Sequence, residues 1–128
     1  MAIGSDKKYT VLVVEDNEIN KDLLYEYLSP NYNVLLASNG TEALDIIDEK
    51  KDEISLIFLD IVMPYCNGFE VLEDMNETGA IASLPVVIIS SEGSDEFKSR
   101  AYLNNVCHFI TKPFTYEEVM ACAKAILA

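Results

Sequence analysis

Five short apolar runs, each followed by a segment with helical spacing, restrict this chain more than any other feature. The runs cover residues 9–14, 32–37, 54–59, 86–89 and 107–111. They are rich in β-branched residues and too short for helices. Val11-Leu12-Val13-Val14 and Val86-Val87-Ile88-Ile89 show no alternation with polar residues. Such runs predict strands buried on both faces, as in a parallel sheet covered by helices. A strand-then-helix order repeated along the chain predicts a doubly wound α/β fold with right-handed crossovers.

The intervening segments support that reading. Ile19, Leu23, Leu24, Tyr27 and Leu28 fall at helical spacing and predict one buried stripe, with Pro30 as a stop. Ala43, Leu44 and Ile47 predict a second stripe, and Phe69 and Leu72 begin a third that Gly79 closes. Ser94 before Asp95 and Glu96 reads as an N-cap with two acids favouring the helix dipole. Asn105 stands where a left-handed residue would end that helix. Thr115 caps the last helix, in which Val119, Cys122, Ala123 and Ile126 recur. The run Glu49-Lys50-Lys51-Asp52-Glu53 reads as a solvated helix end and turn.

With 128 residues, half of them hydrophobic, the chain suits one domain with a real core. Residues 8–128 are expected to form that domain, and residues 1–7 a flexible N-terminal segment or tag remnant. The start is short and polar and lacks the apolar stretch of a secretory signal. No apolar run reaches the roughly 20 residues of a membrane span. The net charge of −13 disfavours direct binding to nucleic acid or to an anionic membrane surface. It suits a protein that holds a cation or meets a basic partner. Cys66, Cys107 and Cys122 match no zinc or redox spacing and read as reduced thiols of a cytoplasmic protein.

The chemistry gathers at the strand ends. The first run leads into Glu15-Asp16, the third into Asp60, the fourth into Ser90-Ser91 and the fifth into Lys112-Pro113. The second ends in Ala37-Ser38, with no comparable reactive group. In open parallel sheets, ligands sit beyond the carboxyl ends of the strands where the winding reverses. With the strand order 2-1-3-4-5, Glu15, Asp16 and Asp60 converge there, and Ser90 and Lys112 lie along the same edge. Two like charges about 4 Å apart cost about 4 kcal/mol at an effective dielectric near 20. Either one acid stays protonated or a cation neutralises the group. An all-oxygen site with few protein ligands suits Mg²⁺, with Mn²⁺ as a substitute. A nucleophilic carboxylate, a cation, an ammonium and a hydroxyl together form a receptor for a phosphoryl group.

The chain resembles the receiver domains of response regulators, which share a flavodoxin-like (βα)5 fold. The resemblance rests on Val-Val-Glu-Asp-Asn-Glu at 13–18, Asn-Gly-Thr-Glu-Ala-Leu at 39–44, Leu-Asp-Ile-Val-Met-Pro at 59–64 with Gly68, Ile-Ser-Ser at 89–91 and Phe-Ile-Thr-Lys-Pro-Phe at 109–114. It implies that Asp60 accepts a phosphoryl group from a histidine kinase or phosphotransfer protein. It implies Mg²⁺ held by Asp16, Asp60 and the backbone carbonyl of Val62, with Glu15 acting through water. It implies that Lys112 contacts the phosphoryl oxygens, that Lys112–Pro113 is cis, and that Ser90 and Phe109 switch the face of helix four, strand five and helix five. Val62 and Glu92 occupy positions that tune phosphoryl lifetime. Such a chain phosphorylates and dephosphorylates itself rather than turning over a substrate. It controls an output or partner protein, and a phosphorylation-dependent homodimer is one form that control takes.

This sequence departs from the family at Cys66-Asn67, Asn105 and Cys107-His108, and no departure removes a catalytic group. His108 has no surrounding ligand set and reads as an ordinary packed or surface residue. Tyr102 and Leu103 fall off the inner stripe of helix four, where Phe97 and Ala101 lie. They read either as isolated exposed side chains or as an interface. An aspartyl-phosphate hydrolase would carry an acid two residues after its nucleophile, where Val62 stands. A flavin site would need a phosphate-cradling loop after strand one, where Glu15-Asp16-Asn17 repel an anion. A phosphorylation-independent interaction module on the same fold is the alternative function.

Overall fold

The computed structural model describes residues 7–63 and 67–127. Residues 1–6 of the expected N-terminal segment lie outside the described residues, as do Pro64 and Cys66. The elements run β1 (Thr10–Val14), α1 (Glu18–Leu28), β2 (Asn33–Ala37), α2 (Gly40–Lys50), β3 (Ile54–Leu59), α3 (Gly68–Thr78), a 3-10 turn (Ala80–Ala82), β4 (Val86–Ser90), α4 (Asp95–Leu103), β5 (His108–Thr111) and α5 (Tyr116–Leu127). The strands form a parallel sheet in the order β2-β1-β3-β4-β5. Strand ends differ from the sequence reading by one residue at Tyr9, Tyr32, Ser90 and Cys107, where pairing begins or stops.

The period of two in each strand divides the core. Leu12, Val14, Ile57, Leu59, Val86 and Ile88 face α2, α3 and α4. Val11, Val13, Leu56, Phe58, Val87 and Ile89 face α1 and α5. All twelve are buried, each contributing roughly 1.5–3 kcal/mol relative to exposure. This two-sided burial explains why the central strands carry no polar alternation.

Local signals end most helices where the sequence places them. Asn17, Asn39, Asn67 and Ser94 accept N-cap hydrogen bonds. Thr115 Oγ1 accepts the Glu118 N–H at 3.1 Å, and the Thr115 N–H donates to Glu118 Oε1 at 3.0 Å. Gly79 takes the left-handed conformation after α3 (φ 82°), and Asn105 takes it after α4 (φ 69°). Asn105 is fixed there by donating to Asn76 Oδ1 at 2.7 Å.

One stripe is corrected. Ile19 is 72% exposed, while Lys21 is buried with Leu24 and Leu28. Positions 21, 24 and 28 follow the i, i+3, i+7 spacing of a single face, which Ile19 leaves. In α5 the fully covered stripe is Val119, Met120, Ala123 and Leu127, with Cys122 and Ile126 at its margin.

Candidate functional site

The parallel ladder continues one residue beyond three strands and thereby aims the polar groups. Glu15 N–H donates to Ala37 O at 3.0 Å, Asp60 N–H to Val14 O at 2.9 Å, and Lys112 N–H to Ser90 O at 2.8 Å. Glu15, Asp60 and Lys112 are therefore held at the sheet's carboxyl edge by the same bonds that build the sheet. Carboxylate oxygens of Glu15, Asp16 and Asp60 come within 4.8 Å of one another. Glu15 and Asp60 are buried, and Asp16 is exposed.

Lys112 bridges the two buried acids. Its Nζ lies 2.8 Å from Glu15 Oε1 and 3.2 Å from Asp60 Oδ2. The remaining oxygens meet backbone: Asn17 N–H donates to Glu15 Oε2 at 3.1 Å, and Val62 N–H donates to Asp60 Oδ1 at 3.2 Å. Burial, and then the charge of Glu15, push Asp60 up to about 7, against the opposing pull of Lys112. Burial acts to lower the Lys112 ammonium, but its bonds to Glu15 and Asp60 outweigh that and raise it. The acids here thus outnumber the positive charge that Lys112 supplies, among the described residues. Three carboxylates, all oxygen donors and one of them open to solvent, fit a small hard divalent cation.

The other predicted residues surround this centre. Ser90 is fully buried, and its Oγ accepts the Glu92 N–H at 3.1 Å. The Glu92 side chain is exposed and accepts from Ser94 N–H at 3.3 Å. Val62 is 56% exposed. The Lys112–Pro113 peptide is cis. Phe109 is buried against the α4 side of the core, with Lys98 Nζ 5.8 Å from its ring centroid. It borders an open cleft of about 700 Å³ that Cys107, His108 and Cys122 also line. Burial, with Cys107 as the lesser cause, pushes the Cys122 thiol up to about 11, which leaves it a poor nucleophile. Tyr102 and Leu103 project from α4 at 46% and 83% exposure.

Gly68 is a residue whose reason the sequence does not show. A Cβ there would stand 2.6 Å from Ile61 Cα and 2.7 Å from Asp60 O. Its N–H donates to Ile61 O at 2.8 Å. The first turn of α3 therefore rests directly on the backbone that carries Asp60. Gly68→Ala is expected to destabilise the protein by about 2–3 kcal/mol, since backbone must move to admit the methyl group. A lowered urea midpoint checks this; an unchanged midpoint would show that the β3–α3 loop yields freely.

The fold and this edge define a flavodoxin-like α/β protein with an acidic pocket at the switch point of its sheet. The chain belongs to the response regulator receiver domain family, which matches residues 11–124. It is 32% identical over 118 residues to the transcriptional regulatory protein CpxR of Escherichia coli, covering 91% of this chain and 48% of that protein. It is 31% identical over 125 residues to histidine kinase P4 of Formosa agariphila, covering 98% of this chain and 9% of that protein. The non-phosphorylated HemR receiver domain from Leptospira biflexa is 25% identical with a TM-score of 0.85, covering 94% of this chain and 95% of that one. The chain spans about half the length of the transcriptional regulators it matches. No helix among the described residues is long and apolar enough to cross a membrane.

Proposed function

We propose that Asp60 is the phosphoacceptor, charged by a phosphohistidine on a kinase or phosphotransfer protein. The observation that carries this reading is the convergence of Asp60 with Glu15, Asp16 and Lys112 at one sheet edge. A carboxylate oxygen of Asp60 attacks phosphorus, the phosphorus–nitrogen bond breaks, and its electron pair leaves with the imidazole. Val62 N–H fixes the carboxylate by holding Oδ1. Lys112 is within reach of the face on which negative charge gathers, and Ser90 supplies a hydroxyl beside it. Asp16, Asp60 and the Val62 carbonyl would hold Mg²⁺ or Mn²⁺, with Glu15 acting through water. The bound cation supplies charge neutralisation of the acids and of the transferred group.

Ser90 and Phe109 would then relay occupancy of the site to the α4–β5–α5 face, biasing a two-state element. An output domain or a partner protein would read this face. We place the reaction in the cytoplasm, in keeping with reduced thiols at Cys107 and Cys122. Intact mass after incubation with acetyl phosphate and Mg²⁺ tests the reading. One added phosphoryl group, prevented by prior chelation, supports it. No adduct with several phosphodonors would favour a phosphorylation-independent interaction module.

Val62 sets the lifetime of the adduct. Its side chain, two residues after Asp60, is exposed and, being apolar, orients no attacking water. Val62→Asn is expected to speed loss of the phosphoryl group roughly tenfold by positioning that water. Decay followed by intact mass at saturating Mg²⁺, after removal of the acetyl phosphate, is the check, and equal half-lives would remove Val62 from this role.

A further inference from the structure

Lys21 is a charged residue on the face of α1 that meets the sheet, and it is only 8% exposed. Burying an ammonium is costly unless hydrogen bonds offset it, so an apolar side chain would fill the position more easily. Its Nζ donates to Ser38 Oγ at 2.6 Å and to Glu18 Oε1 at 3.1 Å. Ser38 follows β2 directly, and its own N–H donates to Glu42 Oε1 of α2 at 2.8 Å. The residue before it, Ala37, accepts the Glu15 N–H.

The stretch from Glu15 to Lys21 is therefore tied to the end of β2 at both its ends. One tie is the backbone bond from Glu15, the other the ammonium of Lys21. Between them lies Asp16, whose side chain makes no hydrogen bond or ion pair among the described residues. Glu15 and Asp60 are held by Lys112, but Asp16 has only its backbone to place it.

We propose that Lys21 and Ser38 form a clasp that positions the Asp16 loop for divalent cation binding, making them positioning residues of the phosphoryl-transfer site. This rests on the reading of Glu15, Asp16 and Asp60 as the cation pocket. The sign of the effect separates the clasp from simple electrostatics. An ammonium near an acidic pocket repels a divalent cation, so removing its charge would tighten binding. Removing a clasp loosens it.

The test is a titration of the full chain with MgCl₂ alone, followed by backbone amide shifts of residues 15–18. Lys21→Met and Ser38→Ala are both expected to raise the Mg²⁺ dissociation constant about tenfold, the scale of lost outer-shell support. Lys21→Arg keeps a donor and recovers most of it. Glu18→Gln keeps an acceptor oxygen for the Lys21 ammonium and removes only a charge that is 74% exposed, so it leaves the constant within twofold of native. At saturating Mg²⁺ the adduct yield of both clasp variants returns to native. Ser38→Ala removes a single oxygen, and its dispersed amide spectrum reports folding independently. Tighter or unchanged Mg²⁺ binding in Lys21→Met, or unchanged binding in Ser38→Ala, overturns the clasp while leaving the pocket standing. No Mg²⁺-dependent shift in the native chain overturns the pocket, and the clasp with it.

Discussion

Asp60→Ala is expected to take up no phosphoryl group from acetyl phosphate and Mg²⁺, under conditions where the native chain gains one. The Asp60 carboxylate stands one residue past β3, buried beside Lys112, with its Oδ1 held by the Val62 N–H, and Asp60→Ala removes it without moving either neighbouring acid into its place. Glu15 is held by Lys112 and Asn17, and Asp16 faces solvent. An adduct of equal yield in the variant would move the acceptor elsewhere. The near-isosteric Asp60→Asn carries a second, opposite signature in stability. Asp60 titrates at about 7 in the fold against 3.8 unfolded. Its contribution to stability is therefore complete below about pH 4 and is lost as pH rises through 7. At about 1.4 kcal/mol for each pH unit, the loss is a few kcal/mol at most. Without metal, Asp60→Asn is expected to lack this decline and to melt above the native chain at pH 8. Parallel melting curves from pH 4 to 8 would show that Asp60 carries no such strain.

The elements that the sequence displays most directly are those whose residue types match their surroundings. Strand β3 is read to the residue because Ile54 to Leu59 is apolar and buried at every position but Ser55. The reactive edge is equally legible, because Glu15, Asp60 and Lys112 each stand one residue past a strand and the ladder extends to all three. Lys21 shows where such reading fails. Periodicity sorts residues by type, and a lysine is sorted as solvent-facing although its long stem can lie in the core. Ile19 is the same error reversed, apolar by type yet 72% exposed. The signal that could have found Lys21 was its spacing of three and seven from Leu24 and Leu28. Gly68 was visible as part of a motif, but its reason is a distance to Ile61 and Asp60 backbone that exists only in three dimensions. The family resemblance assigns Lys112 to phosphoryl oxygens, and in this structure its shortest bond is to Glu15.

That bond underlies the largest expected change in stability. Lys112→Met keeps an unbranched stem of similar size and removes the ammonium that spans Glu15 and Asp60. Two buried carboxylates are then left facing each other without a counter-charge, which typically costs about 3–5 kcal/mol. The cost must depend on pH in a definite direction. Lys112 titrates above its ordinary 10.5, so the native ammonium is charged from pH 5 to pH 8. Asp60 loses its proton within that window, and without the pull of Lys112 its pKa moves higher still. At pH 5 a neutral Asp60 no longer repels Glu15, and most of the destabilisation disappears. At pH 8 Asp60 must either ionise beside Glu15 or hold a proton that the unfolded chain has released, and either costs stability. Urea midpoints of the variant are therefore expected to fall far below native at pH 8 and to approach native at pH 5, and millimolar Mg²⁺ at pH 8 should restore part of the difference. An equal loss at both pH values, indifferent to Mg²⁺, would mean that Lys112 matters here only through the packing of its stem, and that the acids at this edge do not behave as one charged cluster.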